Sequence, residues 1–251
     1  MVEILNSLII MINLNNFQRW CSLGTAISPY KKTLNFLLVG LIIFEFLLVL
    51  IYLGSILVSG KSYPLFDMNG QMTISSLLQA LHLLIIGLIP LILLFKEWHS
   101  HIPPSNRFKL TFAILLIYGA IDEVFKIHLQ LKNWIPWLGE RGWLQIYIVL
   151  FIMPLIVFYS DLKFLWRSYR RETFLALLGM LIFAIGGFGA ELFKDIAQPL
   201  LSLLFTQDFL MSFIEKIRIA FEEFFELIGE NLIAYGFLLF LGKRLVPLRG
   251  S

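Results

Sequence analysis

Residues 218–231 read RIAFEEFFELIGEN, which sets four glutamates inside an apolar segment long enough to cross a membrane. An α-helix turns by about 100° per residue, so the acidic residues fall on one side of such a helix and the phenylalanines on the others. That side holds Glu215, Arg218, Glu222, Glu226 and Glu230, with Glu223 flanking it. Such a stripe is either a solvated surface or an intramembrane site, and its depth in the membrane decides which.

The composition around this stretch is that of a polytopic membrane protein. Of the 251 residues, 59% are hydrophobic and 15% are charged, and the mean hydropathy is +0.83. A soluble domain has roughly a quarter of its residues charged. The net charge of +3 comes from basic residues near the ends of apolar runs, which is typical of topology signals. We therefore expect the lipid bilayer as partner and no nucleic acid.

Six apolar runs are long enough to cross a bilayer, whose core of roughly 30 Å takes about 20 helical residues. They cover residues 33–57, 73–95, 110–131, 143–166, 173–196 and 213–242. A shorter run at 4–14 is interrupted by Asn6 and Asn13, which suits a helix lying along the headgroups. The sequence therefore predicts an all-α fold: a six-span transmembrane helical bundle over 31–251, after an N-terminal interfacial amphipathic helix and linker over 1–30.

The distribution of Lys and Arg predicts the orientation of this bundle. Counted loop by loop on alternate sides, 13 of the 20 basic residues fall on the side that holds both termini. Cytoplasmic loops carry the excess of Lys and Arg. We therefore expect an integral protein of a bacterial-type inner (plasma) membrane, with both termini in the cytoplasm.

Depth along each run, counted from its predicted cytoplasmic end, collects polar residues of four runs in one layer. At 1.5 Å per residue this layer lies roughly 18 to 20 Å from the inner edge, and it contains Glu45, His82, Asp122, Glu123 and Glu230. A second tier at roughly 24 to 27 Å contains Glu226, His128 and Glu191. A charge at the bilayer centre costs about 3 kcal/mol on insertion scales, so these residues are expected to face the bundle interior. Glu222 and Glu223 fall at the outer boundary and are interpreted as solvated.

Helical spacing indicates which of these residues can meet. His82 shares a stripe with Gln79 and Ser75, three and four residues apart, and this stripe is predicted to face the bundle interior. Glu45 has no polar neighbour on its own helix, so its partner must come from another span. On an ideal helix, His128 lies about 120° to 140° around the axis from Asp122 and Glu123. These residues can therefore bind one ligand together only if that helix unwinds.

Glycines in the fifth run predict a close helix contact. Gly186, Gly187 and Gly189 permit backbones to approach each other, which is expected to bring Glu191 beside a neighbouring span.

The elements DEVFKIH at 122–128 and EEFFELIGE at 222–230 resemble a class of small bacterial membrane proteins of unknown activity. In that class a D-E-x-x-x-x-H element, commonly followed by Glu, pairs with a later E-E-x-x-E-x-x-G element. The resemblance covers roughly residues 110–242 and departs from the class at Leu129, where a further Glu is expected. It implies a site at the matching positions, which are Asp122, Glu123, His128, Glu222, Glu223, Glu226 and Gly229.

These residues allow three functions, and the sequence assigns no catalytic residue among them. The first is a divalent-metal site in the outer half of the bilayer, serving chemistry on a lipid-like substrate. Its ligands would be Glu123, Glu226 and Glu230, with His82 or His128 supplying nitrogen, while Glu45, Asp122 and Glu191 are the other buried polar residues. The second is a proton- or cation-coupled transporter whose acids act as a relay. The third is a structural or assembly protein in which the cluster holds helices together.

Overall fold

The computed structural model describes residues 27–100, 102–135, 142–204 and 208–245. These residues form helices and no strand, which confirms the all-α prediction. The helices are α1 (Ile27–Ser59), α2 (Ile74–Lys96), α3 (Asn106–Phe125), α4 (Ile127–Trp134), α5 (Gly142–Val157), α6 (Tyr159–Ser168), α7 (Arg170–Leu204) and α8 (Asp208–Leu245). Nearly all of the predicted interfacial segment at 1–30 lies outside the described residues.

Helix α8, which carries the stretch 218–231, is the centre of the bundle. It packs most extensively against α7 and also lies against α1 and α2, while α2 packs along α3. The acidic stretch therefore faces three other helices, and its glutamates can meet side chains from each of them.

Glycines set the distance between α7 and α8. A Cβ atom on Gly179 would lie 2.5 Å from the carbonyl oxygen of Gly229, and one on Gly186 would lie 2.7 Å from the Cβ atom of Phe225. Real Cβ atoms essentially never come within 3.0 Å of another atom, so only glycine fits at these positions. The contact predicted for Gly186 is thereby confirmed, whereas Gly189 has no neighbour from another helix within 4 Å.

The third apolar run is not one continuous helix. It breaks at Lys126, whose φ of 47° and ψ of 49° are left-handed, and it resumes as α4. Asp122 Oδ1 accepts the backbone N–H of His128 at 2.8 Å, and its Oδ2 lies 2.7 Å from that ring's Nδ1. A short polar side chain that binds nearby backbone competes with helical hydrogen bonding. The predicted span over 110–131 is therefore two helices, and Asp122 meets His128 because the helix unwinds between them.

In the described part of the chain, three helical segments are long and apolar enough to cross a membrane: Tyr30–Ser59, Ile74–Lys96 and Leu210–Leu245. A fourth span is formed if Gln145–Val157 and Tyr159–Ser168, bent by 68°, count together. Helix α3 is not among them because it carries four charged side chains, Arg107, Lys109, Asp122 and Glu123. The described part of the chain thus supports a membrane protein with three or four spans, not clearly the six expected.

Candidate functional site

Three helices bring one ionisable side chain each to the middle of the bundle. Glu45 of α1, His82 of α2 and Glu230 of α8 are 0%, 2% and 1% exposed. His82 Nε2 lies 3.9 Å from Glu45 Oε1, and His82 Nδ1 lies 3.6 Å from Glu230 Oε2. We call these three residues the central cluster. Its members belong to the layer that depth counting predicts, and the inward direction predicted for His82 is confirmed.

The imidazole ring of His82 separates the two carboxylates. Each ring nitrogen faces a different glutamate, and the two nitrogens lie on different edges of the ring. Both nitrogen–oxygen separations exceed hydrogen-bond length, so a closing movement of about 1 Å makes each contact a hydrogen bond. Such contacts are commonly long in resting sites and shorten when the site acts.

Most polar atoms of the central cluster make no hydrogen bond to the described residues. These atoms are Glu45 Oε2, both ring nitrogens of His82 and both carboxyl oxygens of Glu230. The other oxygen, Glu45 Oε1, accepts from Asn231 Nδ2 at 3.3 Å, so the partner predicted to come from another span is found. Burying an unpaired polar group costs about 1–3 kcal/mol. The arrangement therefore lowers stability, which is typical of residues kept for function.

A second polar group lies one to two turns from the central cluster, towards the start of α2. Glu223 Oε2 accepts from Ser75 Oγ at 3.3 Å and from Gln79 Nε2 at 3.1 Å. The same Gln79 nitrogen donates to Glu226 Oε2 at 3.2 Å. We call Glu223 and Glu226 the access carboxylates. On its other side, Glu226 faces Gly187 of α7, where a Cβ atom would lie 2.9 Å from its Oε1.

The interpretation of Glu223 as a solvated boundary residue is wrong, because its side chain is only 7% exposed. The segment between α1 and α2 folds over this end of the bundle and inserts Met68, which packs in one core with Tyr52 and Ile219. Counting depth along a helix does not account for a connecting segment that covers its end.

The remaining acidic residues of the stripe form a separate group. Arg218 donates to both carboxyl oxygens of Glu215, at 3.0 and 2.8 Å, and to Glu222 Oε2 at 2.7 Å. These carboxylates are 29% and 23% exposed, and the exposure of Glu222 agrees with its interpretation as a residue near water. The single stripe read from the sequence is therefore two groups with different surroundings.

Two of the predicted metal ligands, Glu123 and His128, have other partners in the structure. Glu123 Oε2 pairs with Lys126 Nζ at 2.7 Å, and His128 pairs with Asp122. Glu123 is nevertheless near enough to Glu226 and Glu230 to act on them electrostatically. The side chain of Glu191 lies outside what the structure describes. Among the side chains that are described, no group of three or more His, Cys, Asp or Glu has the geometry of a metal site.

An ion-pair network joins the helices at the end of α2. Arg244 of α8 binds both carboxyl oxygens of Glu97, at 2.7 and 3.2 Å, and also contacts Tyr169 Oη at 3.2 Å. Lys109 Nζ of α3 lies 2.8 Å from the same Glu97 carboxylate. We call these four residues the closing network. Glu97 and Arg244 are 147 residues apart in the chain, and no sequence periodicity indicates their contact.

The closing network makes stability depend on pH. Burial alone would raise the pKa of Glu97, but the hydrogen bonds and charges of Arg244 and Lys109 outweigh it and hold the pKa below 4.5. A carboxyl whose pKa is lower in the folded state stabilises the fold above its unfolded pKa, and this contribution is lost as the pH falls through the folded value. We expect the parent to lose more stability below about pH 4.5 than Glu97→Gln does.

Thermal unfolding in detergent between neutral pH and about pH 3 measures this difference. Lys96→Gln, an exposed change at the same helix end, is the control and is expected to follow the parent. A stability difference between parent and Glu97→Gln that is the same at every pH would contradict the expected role of the pair.

Comparison with known proteins gives one match. A family model described as "Domain of unknown function (DUF8692)" matches residues 34–241, which include the central cluster and the access carboxylates. No curated protein and no solved structure is detectably similar to the chain.

Proposed function

The chain belongs to the DUF8692 family of unknown function, and we propose that it is a proton-coupled membrane transporter in which Glu45, His82 and Glu230 pass protons within the membrane. The observation that carries this proposal is the position of His82. It is buried between carboxylates of two other helices, with one carboxylate at each ring nitrogen. Intramembrane Asp, Glu and His residues that face one another are the usual parts of proton relays.

The transfer uses the two nitrogens of one ring. With a hydrogen on Nε2, the ring accepts a proton at Nδ1 from the carboxyl group of Glu230. It then releases the original proton from Nε2 to the carboxylate of Glu45. One proton is bound, one is released and the ring becomes the other tautomer, so no redox partner is needed.

The direction of proton movement depends on how the helices are oriented in the membrane. We propose six spans with both termini cytoplasmic, adding α7 and the α3–α4 pair to the spans above. Residues 173–190 of α7 contain no charged side chain, and α7 packs along the full central part of α8. With this orientation the start of α2 faces outward, and the closing network faces the cytoplasm.

Nitrogen NMR of the protein labelled with ¹⁵N-histidine tests the proposal in lipid nanodiscs. The chain has only four histidines, so His82→Gln identifies the signal of His82 by its loss. We expect this ring to change its tautomer or its protonation state reversibly over the pH range in which the protein stays folded, and this response to change in Glu45→Gln and in Glu230→Gln. Glu215→Gln, which removes a carboxylate of the separate Arg218 group, is the control and is expected to leave it unchanged.

The proposal fails if His82 keeps one neutral tautomer over that range in the parent. A divalent metal is the rival, since glutamate and histidine are ligands that zinc and iron accept. One ion cannot bond both ring nitrogens, so a metal would use His82 with only one of its two carboxylates. Elemental analysis that finds stoichiometric zinc, iron or manganese, lost in His82→Gln, would replace the proton relay by a metal site.

A further inference from the structure

Among the residues that the structure describes, a continuous series of polar side chains leads from the central cluster to one end of the bundle. From His82 to Ser75, in the first turn of α2, is seven residues, or roughly 10 Å. That distance is lined by Gln79 and the access carboxylates. Glu223, Glu226 and Glu230 follow each other at spacings of three and four residues on α8, so they lie on one face of that helix. Carboxyl groups thus succeed one another from the start of α2 to the central cluster.

The opposite direction is mostly apolar and about twice as long. Beyond His82, helix α2 buries Ile86, Ile89 and Leu93, which are 0%, 2% and 1% exposed. Over the same length of the bundle, α8 buries Ala234 and Leu239, and Leu239 packs with Leu34 of α1. The polar pair in this region, Tyr235 and Asn35, bond to each other. At the far end the closing network ties α2, α3 and α8 together.

Charged side chains also lie close to the access carboxylates, on the side of the central cluster towards the start of α2. Glu123 and Lys126 of the α3–α4 break are near enough to act electrostatically on the access carboxylates. Lys126 therefore places a positive charge beside the acidic side chains at this end. On the other side, the ion pairs that the structure describes are those of the closing network and the pair of the buried Glu172 with the half-exposed Lys243, at 2.7 Å.

We propose that the access carboxylates, held together by Gln79, exchange protons between the central cluster and the membrane face at the start of α2. In this conformation the other face is closed by apolar packing and the closing network. The inference rests on the proposed function, because it names the side from which that site is loaded. Each step moves one proton between carboxyl groups, from Glu223 to Glu226 to Glu230.

Reaction of single cysteines with silver ion tests this one-sided access in proteoliposomes. Silver is a small monovalent cation that binds thiols, and in a Cys21→Ser background each variant carries one thiol. Ser75→Cys and Ala234→Cys are a matched pair, since both replace a small buried side chain, 3% and 6% exposed. We expect Ser75→Cys to react at least about tenfold faster than Ala234→Cys, and only from the face at the start of α2.

Two exposed positions identify the faces and test the topology. Met72→Cys reports the face at the start of α2 and Trp98→Cys reports the other, and both side chains are more than half exposed. Thiols left unreacted are counted by maleimide labelling after unfolding in SDS. Equal rates for Ser75→Cys and Ala234→Cys, or reaction of Ala234→Cys from the Trp98 face, would overturn the proposal.

Adding Arg244→Gln to the Ala234→Cys protein tests the closing network. We expect this change to raise the reaction rate from the Trp98 face by about tenfold, whereas Lys96→Gln leaves it unchanged. An unchanged rate in a variant that elutes as a single folded species would refute the closing role. Thiol reactivity does not require His82 to titrate, and the histidine NMR does not depend on the side of access. Failure of this inference is therefore distinguishable from failure of the proposed function.

Discussion

The triple variant Glu45→Met, His82→Leu, Glu230→Met is expected to be more stable than the parent by about 1–4 kcal/mol, the range found when buried charged groups are replaced by apolar ones. The parent buries five polar atoms of the central cluster without hydrogen-bond partners among the described residues. Each such atom costs about 1–3 kcal/mol. The triple variant removes all five and orphans only the amide of Asn231, so the balance favours the variant.

Unfolding in detergent, followed by helical circular dichroism against increasing SDS, measures this change. Leu78→Met with Leu227→Met is the control, because both leucines are buried in the core beside Tyr52 and such swaps usually cost less than about 1.5 kcal/mol. A triple variant that is clearly less stable than the parent would instead favour the structural function, in which the central cluster holds the helices together. A more stable variant would indicate that the cluster is kept for its chemistry.

Gly229→Ala is expected to destabilise the protein by about 3 kcal/mol, at the upper end of overpacking costs. The new Cβ atom would lie 2.7 Å from both the carbonyl oxygen of Gly179 and the backbone nitrogen of Phe183. Backbone atoms of a packed helix cannot move aside as the tip of a flexible side chain can. Helices α7 and α8 must therefore separate, which also moves Gly187 away from Glu226.

Gly40→Ala and Gly54→Ala in α1 are the matched controls for this change. Neither site has another atom within 4 Å of the added Cβ atom, so both should be neutral or stabilising by at most about 1 kcal/mol through helix propensity. The same SDS titration compares the three proteins. Equal stability of Gly229→Ala and Gly54→Ala would contradict the close packing of α7 against α8.

The central cluster could be predicted because both the depth of a residue in the membrane and its face on a helix follow from counting residues along the sequence. Glu45, His82 and Glu230 lie at one counted depth, and the structure brings them into one group. Asp122 and Glu123 share that depth, but Asp122 pairs with His128 and Glu123 pairs with Lys126. A left-handed residue that is not glycine leaves no trace in hydropathy, so the break that diverts them could not be read from the sequence.

Other features depend on contacts between residues that are far apart in the sequence. Burial of Glu223 requires the connection after α1 to fold back with Met68, and the Glu97–Arg244 contact requires the ends of α2 and α8 to coincide. Asn231 gave a usable signal, because a side-chain amide beside Glu230 in an apolar helix needs a partner within the bundle. Its acceptor, Glu45, lies 186 residues away in the sequence, so residue spacing alone does not identify this partner.

The break at Lys126 also fixes the direction of local helix dipoles. Helix α3 ends there with its partly negative carboxyl end, and α4 begins with its partly positive amino end. Lys126 carries its ammonium group at the first of these ends, while the carboxylate of Asp122 lies at the second, where it accepts the N–H of His128. Each charge complements its dipole by about 0.3–1 kcal/mol. The broken helix thereby adds counter-charges from its own backbone to the partners that Asp122 and Lys126 have in His128 and Glu123.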